Sequence, residues 1–197
     1  QFCERFFSRA LLFSEKHKLD LLSIFPKQIL GSFGEKLSVP LMNWILLSLL
    51  PLPLVRRAQN PAFAAANGQF MMFRADTYKS LQPHEKFKSH KVEDIAISRY
   101  YKQSHLNTAT LLGDEDIQCR MYTNLDDSIL GFSKNVFQFF GNSKLATIGF
   151  GLVTTAAPFL IYWDMGAQFM GLYLLCVVLI RFFISLASKQ NSLINNR

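Results

Sequence analysis

An acidic pair, Glu93-Asp94, is the part of this sequence best suited to chemistry. A carboxylate within hydrogen-bonding distance of a hydroxyl group can remove its proton as the oxygen attacks an electrophilic carbon, which is general-base catalysis. The pair also stands at the start of a helix predicted from Val92 to Gln103, where acidic side chains complement the helix dipole. On spacing alone, the helix-stabilising interpretation is favoured.

Two other segments carry groups that suit a phosphorylated sugar. Gln118 to Tyr122 contains Arg120, whose guanidinium matches phosphate oxygens, and Tyr122, whose ring face suits a sugar. A surface arginine in an ordinary strand is an equal alternative for Arg120. In Asn67-Gly68-Gln69, glycine permits a close backbone approach to a sugar or a positive φ; a plain turn before a strand is the alternative.

Lys134, in the GFSKN segment, is the last candidate, because its amine could reach a diphosphate or lipid headgroups. A solvated lysine is the simpler interpretation. The sequence contains no glycine-rich phosphate loop, HExxH or GxSxG, which excludes the commonest nucleotide-loop and hydrolase sites. Its three cysteines are scattered, which argues against both a disulfide framework and a zinc site.

Composition indicates a membrane-associated protein. Half of the 197 residues are hydrophobic and 18% are charged, which excludes a disordered chain. The net charge of +7 favours an anionic partner, but the cations are interleaved with acids instead of forming a stripe, so we expect no nucleic acid partner.

The C-terminal quarter predicts two transmembrane helices within residues 145–188. Leu145 to Trp163 is uncharged, and a second uncharged run follows Asp164 from Met165 to Ile180. The short linker carries Asp164 and no cation, so the positive-inside rule places both flanks, including the tail 189–197, in the cytoplasm. A third apolar stretch, 37–55, contains three prolines and is predicted to lie in the membrane interface, with a third span as the alternative.

Residues 1–144 otherwise show an α/β pattern of short apolar runs alternating with amphipathic segments. Helices are predicted at Arg9 to His17, Asp76 to Leu81, Val92 to Gln103 and Leu125 to Phe140, and strands at Leu19 to Phe25, Asn67 to Phe73, Asn107 to Leu112 and Ile117 to Tyr122.

The order of these motifs resembles the C-terminal half of membrane-bound family 2 glycosyltransferases, which are inverting enzymes of the GT-A (Rossmann-like) fold. The series is FPKQ, ANGQF, VEDIAISRYY, CRMY and GFSKN, followed by the membrane helices. It is most similar to the bacterial hopanoid- and carotenoid-associated branch. The resemblance implies that residues 1–144 are the C-terminal portion of a GT-A domain and that the chain belongs to a longer polypeptide.

The resemblance also implies roles for the candidate residues. Asp94 would be the general base, with Glu93 as its neighbour; Arg120 would bind the donor diphosphate and Tyr122 the acceptor. The family pattern Q-x-x-R-W is not matched exactly in register, because Met121 occupies the arginine position and Arg120 precedes it.

A divalent cation, Mg²⁺ or Mn²⁺, is expected for the intact enzyme, with its ligands upstream of this chain. Asp114-Glu115-Asp116 has the D-x-D form of such a ligand set, but it follows the motifs that the family places after its metal strand. We therefore interpret it as a solvated acidic turn and predict no metal ligand here.

The resulting expectation is an inverting transferase of the bacterial inner membrane. It would move a sugar from a nucleotide-sugar donor to a membrane lipid, with its catalytic part in the cytoplasm, although this portion alone would be inactive. A non-catalytic membrane scaffold or accessory subunit, whose acidic pair only stabilises a helix, is the alternative.

Overall fold

The computed structural model describes residues 2–36, 38–40, 47, 50, 52–90, 92–140 and 143–190; the side chains of 2–3, 134–139, 181 and 184–190 lie outside that description. The chain forms a mixed α/β structure with small sheets and mostly helices, so the α/β class is confirmed. The helices are α1 (Phe2–Lys16), α2 (Leu52–Arg57), α3 (Ala75–Leu81), α4 (Pro83–Phe87), α5 (Glu93–Gln103), α6 (Leu125–Phe139), α7 (Lys144–Met165) and α8 (Ala167–Gln190). The strands are β1 (Leu21–Phe25), β2 (Lys27–Gln28), β3 (Met71–Phe73), β4 (Thr108–Leu112) and β5 (Gln118–Cys119).

The main sheet has the order β3-β1-β4. Strand β1 is parallel to β4, with Leu21 opposite Thr108, and antiparallel to β3, with Leu21 opposite Phe73. Every residue of β1 and β4 is buried, as expected for parallel strands covered on both faces.

Helices cover both faces of this sheet. On one face, Phe6 and Ala10 of α1 pack against Leu22 and Ile24. On the other, Ile97 and Tyr101 of α5 pack against Leu21. The alternation of side chains along β1 divides it between these two cores.

Helix α5 is further tied to the segments around it by polar contacts. Its buried Lys102 donates hydrogen bonds of 2.6 Å from Nζ to the carbonyl oxygens of Val55 and Ala58 at the end of α2. Ser98 Oγ donates to the carbonyl of Ala65 at 3.1 Å. These bonds satisfy carbonyl groups that a helix end and a loop would otherwise leave buried without partners.

The second sheet lies just beyond the carboxyl ends of β1 and β4. Strand β2 follows β1 after Pro26 and is parallel to β5, with Gln28 opposite Cys119. The predicted strand Ile117 to Tyr122 is therefore too long, because β2 ends at Gln28 and the bond from the Ile29 N–H to the Cys119 carbonyl, 2.9 Å, is the last contact of this pair.

Other boundaries also differ from the sequence predictions. Helix α1 begins at Phe2 and not at Arg9, and β3 begins at Met71 and not at Asn67. The helix predicted from Leu125 to Phe140 is confirmed as α6, with the GFSKN segment inside it. Asp164, predicted in the turn between two membrane helices, lies in the last turn of α7, and the chain reverses at Gly166, whose φ of 87° suits glycine.

Among the described residues, α7 is the one helix long and apolar enough to cross a membrane, and none of its apolar window is buried. The apolar part of α8 within those residues, Ala167–Ile180, is shorter. The two-span hairpin therefore stays a prediction. Most of the predicted interfacial stretch 37–55 and residues 191–197 of the tail lie outside the described residues.

Ser23 anchors the turn before β3 to the centre of the sheet. Its fully buried Oγ accepts the Asn67 N–H at 2.7 Å and lies 3.2 Å from the carbonyl oxygens of Asn67 and Phe70. This side chain fixes the turn that carries Gly68 against β1.

Replacing Ser23 with alanine leaves the Asn67 N–H without its acceptor. We expect Ser23→Ala to lower the free energy of unfolding by about 1–3 kcal/mol, the usual cost of an unsatisfied buried donor. Ser80→Ala on the exposed face of α3 is the control, with an expected change within about 0.5 kcal/mol. Denaturant unfolding of the full-length protein in detergent measures both, and equal stabilities of the two variants would contradict this role.

Candidate active site

The predicted site residues of the Asn67-Gly68-Gln69 turn and of the start of α5 come together at the carboxyl end of β1 and β4. The Asn67-Gly68-Gln69 turn lies there because Phe70 accepts the N–H of Ile24 near the end of β1. Helix α5 is joined to the start of β4 by four residues, 104–107, so its first turn lies at the opposite, carboxyl end of that strand. In α/β sheets this is the edge at which ligands bind.

Asp94 and Gly68 are in direct contact. Asp94 Oδ2 accepts the backbone N–H of Gly68 at 2.9 Å, and Oδ1 accepts the N–H of Ile95 at 2.8 Å. The structure thus brings together two segments that the sequence separates by 26 residues. Both carboxylate oxygens are oriented by backbone donors, which fixes the side chain at the start of α5.

Burial raises the pKa of the Asp94 carboxyl group above its ordinary value of 3.8. The N–H groups of Ile95 and Gly68 oppose that rise by stabilising the charged form, and the nearby charge of Glu93 adds to it. A raised pKa makes a carboxylate a better proton acceptor. Glu93 itself is exposed on the first turn of the helix.

The glycine at position 68 is not required by backbone strain. Gly166 is the one glycine with positive φ among the described residues, and a Cβ added at Gly68 would meet Asp94 Oδ2 at an ordinary 3.6 Å. Gly68 therefore does not adopt the positive φ that the sequence allowed, while a close approach of its backbone to a sugar stays a prediction. What position 68 supplies is its N–H group.

Gln28 connects this turn to the second sheet. Its Nε2 donates to Gln69 Oε1 at 3.3 Å, and in the ladder Gln28 stands opposite Cys119, the residue before Arg120. Asn67 completes the turn internally, since its Oδ1 accepts the N–H of Gln69 at 2.8 Å. The contacts therefore run from Asp94 through the turn and Gln28 to the Arg120 segment.

Arg120 is held by an unexpected partner, Glu35. Its Nη2 donates to Glu35 Oε1 at 2.8 Å and its Nε to Oε2 at 3.3 Å, while 46% of the Arg120 side chain stays exposed. Arg120 is thus an exposed arginine just after a strand, as in the alternative interpretation, but its guanidinium is held by an ion pair. It is an oriented cation at the edge of the site.

Tyr122 and Lys134 lie on the side of α6. The Tyr122 ring packs edge-on against Phe132, and its hydroxyl occupies the space above Gly131, where an added Cβ would lie 2.1 Å from it. Burial raises the pKa of Tyr122. Its ring is thus partly engaged by the helix. The side chain of Lys134 lies outside the described residues.

The carboxylates of the Asp114-Glu115-Asp116 loop form ion pairs with basic side chains of this chain. Arg9 of α1 pairs with Asp114 and Asp116, and Lys27 pairs with Glu115. Asp114 and Asp116 are thus less solvated than we expected, whereas Glu115 stays exposed. Within the described ranges, no three His, Cys, Asp or Glu side chains come together as a cation site, so these residues do not fit the divalent ion that the resemblance implies.

Sequence reasoning missed Gln28 and Glu35. Both belong to the segment that follows β1, and their partners lie 41 and 85 residues away. One local signal was available for Glu35: Ser32 and Glu35 have the S-x-x-E spacing of a capping box, in which each side chain accepts the backbone N–H of the other residue.

Comparisons of the chain with protein-family models, with curated proteins and with solved structures gave no match.

The ion pair of Glu35 predicts how stability depends on pH. The hydrogen bonds from Arg120, Gly31 and Ser32 lower the pKa of Glu35 from 4.5 to about 2. Because the folded state binds the charged form better, this contribution is complete above the unfolded pKa and is lost as the pH falls through the folded one.

We therefore expect Glu35→Gln to lower the free energy of unfolding, with its largest effect at pH values above 4.5. The difference from the wild type should shrink as the pH falls towards 2. Glu4→Gln, which removes an exposed carboxylate of α1, is the control and should leave the pH dependence unchanged. Unfolding of both variants across this pH range is the measurement. A wild-type advantage that does not vary with pH would contradict the charged pair.

Proposed function

We propose that this chain is part of an inverting glycosyltransferase that moves a sugar from a nucleotide-sugar donor to a membrane lipid. The contact between Asp94 Oδ2 and the Gly68 N–H carries the proposal, because it unites the two segments to which the resemblance assigns the base and the sugar-binding turn. The raised pKa of Asp94 supports the same role.

The reaction is a single displacement at the anomeric carbon of the donor. The acceptor oxygen forms a bond to that carbon while the bond from the carbon to the diphosphate oxygen breaks. Asp94 takes the proton of the acceptor hydroxyl, and the leaving diphosphate takes the electron pair. The two backbone N–H groups bound to the carboxylate leave it further lone pairs with which to accept this proton.

Arg120 offers the positive charge that such a leaving group needs. Negative charge accumulates on the diphosphate as the bond breaks, and a prepositioned guanidinium stabilises it without reorganising. The half-exposed side chain of Arg120, oriented by Glu35 at the same edge of the sheet as Asp94, suits this task.

A lipid acceptor is favoured by the apolar surface next to Arg120. Phe33, two residues before Glu35, is 82% exposed, and Ile29, Met121 and Leu125 are exposed as well. Leu125 begins α6, and the apolar helix α7 follows α6 in the chain. A membrane location would bring the lipid hydroxyl to the site without removing the lipid from the bilayer, which raises its effective concentration.

One observation favours the alternative, a non-catalytic scaffold. Asp94 Oδ1 accepts the N–H of Ile95 in its own helix, as expected of an acid that only stabilises a helix start. The two proposals differ in what the loss of the charge should do.

In the full-length membrane protein, Asp94→Asn should reduce sugar transfer by at least about a hundredfold while the protein still inserts and folds, since an amide cannot act as the base. The matched control is Asp76→Asn, because Asp76 is likewise the second residue of a helix, α3, and is exposed. The assay is transfer of label from nucleotide sugars to extracted lipid. Transfer by Asp94→Asn at the rate of Asp76→Asn would support the scaffold.

The pH dependence of the rate gives an independent prediction. A base works only when deprotonated, so kcat should fall about tenfold per pH unit below the pKa of Asp94. Because burial raises that pKa, the midpoint should lie above 3.8. Rates that stay constant below that pH, in protein that remains folded, would exclude Asp94 as the base.

A further inference from the structure

We propose that Glu35 is a positioning residue that holds the guanidinium of Arg120 in the orientation that meets the leaving diphosphate. This inference rests on the proposed function. It adds a residue that the motif series did not include and assigns it a role through Arg120, without contact with substrate.

Glu35 is an unusual carboxylate because it is fully buried yet completely satisfied. Its two oxygens accept the N–H groups of Gly31 at 2.7 Å and Ser32 at 3.1 Å, in addition to the two bonds from Arg120. Backbone donors therefore fix the carboxylate in place before it meets the arginine. A fixed carboxylate fixes the plane of the guanidinium that binds it.

The way Arg120 binds Glu35 leaves one edge of the guanidinium for a ligand. The pair uses the edge formed by Nε and Nη2, and within the described part of the chain Nη1 makes no hydrogen bond. The second edge, formed by Nη1 and the remaining N–H of Nη2, has the fork geometry that matches two phosphate oxygens. The exposure of the Arg120 side chain leaves room for such a ligand.

Two glycines allow the segment that carries Glu35 to pack closely against its neighbours. A Cβ at Gly31 would lie 2.7 Å from Arg120 Nη2, and one at Gly34 would lie 2.9 Å from the backbone nitrogen of Leu125 at the start of α6. Ser38 Oγ continues the contact through a 2.7 Å hydrogen bond with Ser128 Oγ. Gly31 therefore packs directly against the guanidinium, while Gly34 and Ser38 hold the same segment against α6.

Glu35 and Ser32 form a capping box at the start of the helical residues 33–36, so stability accounts for the backbone bonds of Glu35. Stability accounts less well for its pairing with Arg120. An ion pair with one buried partner gains little net stability, because desolvation of the charge offsets the attraction, and apolar packing of the same volume often does as well. Here the buried carboxylate holds a half-exposed cation at the carboxyl end of the parallel strands. An oriented cation at that edge is useful when an anion binds there.

The test is a double-mutant cycle on Glu35→Gln and Arg120→Gln in the full-length membrane protein. The readouts are the Kd of UDP, GDP, ADP and CDP, the KM of the donor and the KM of the lipid acceptor. For the nucleoside diphosphate that binds tightest, we expect each single variant to raise Kd about tenfold, as for loss of an oriented charge-assisted bond. The double variant should bind no more weakly than Arg120→Gln, and the acceptor KM should not change.

A second variant keeps the inference testable if Glu35→Gln does not fold. Gly31→Ala retains both charges but places a Cβ against Arg120 Nη2, so it should also raise the nucleotide Kd. Gly149→Ala in α7 is the matched control, because a Cβ there meets nothing within 4 Å.

The outcomes separate this inference from the proposed function. Unchanged nucleotide binding in Glu35→Gln or Gly31→Ala, beside weakened binding in Arg120→Gln, would overturn the role of Glu35 and leave the transferase standing. Additive effects of the two substitutions, or no effect of Arg120→Gln, would also overturn it. Failure of the transferase itself would appear instead as wild-type transfer by Asp94→Asn.

Discussion

The hydrogen bond between the Gly68 N–H and Asp94 Oδ2 is the interaction on which the site depends. It can form only because Ser23 holds the turn against β1 and because Lys102 and Ser98 hold α5 against the segments that surround it. Each of these anchors is a buried polar side chain bound to backbone groups. Such bonds cost little when satisfied and much when broken, so they define one arrangement of turn and helix.

The parallel pairing of β1 and β4 explains why the candidate site residues lie at one edge of the sheet. Two parallel strands direct their continuations to the same side, so β2 and β5 emerge together and pair a second time. This second pairing places the helical segment 33–36, which carries Glu35, beside the segment that carries Arg120. Asp94 at the start of α5 and Arg120 beyond β5 are thus connected through separate elements.

The sequence predicted the elements with strong local patterns and missed the contacts made over long distances. Strands β1 and β4 were recognised because burial on both faces leaves a continuous apolar run. Helix α5 was recognised because its acidic first turn and the basic residue near its end match the helix dipole. The end of β5 was not recognised from the sequence, since it depends on where its partner β2 ends. The ion pair of Glu35 and Arg120 could not be predicted either, because its two residues are 85 positions apart and share no local sequence pattern.

The central claim is a single displacement assisted by one base, and the anomeric configuration of the product tests it most directly. The linkage formed by the full-length protein from a donor of known configuration is determined by NMR, from the coupling constant of the anomeric proton. We predict a configuration opposite to that of the donor, because the acceptor attacks from the face opposite the leaving diphosphate. Retention of the donor configuration would contradict the mechanism, since it requires two displacements or attack from the face of the leaving group.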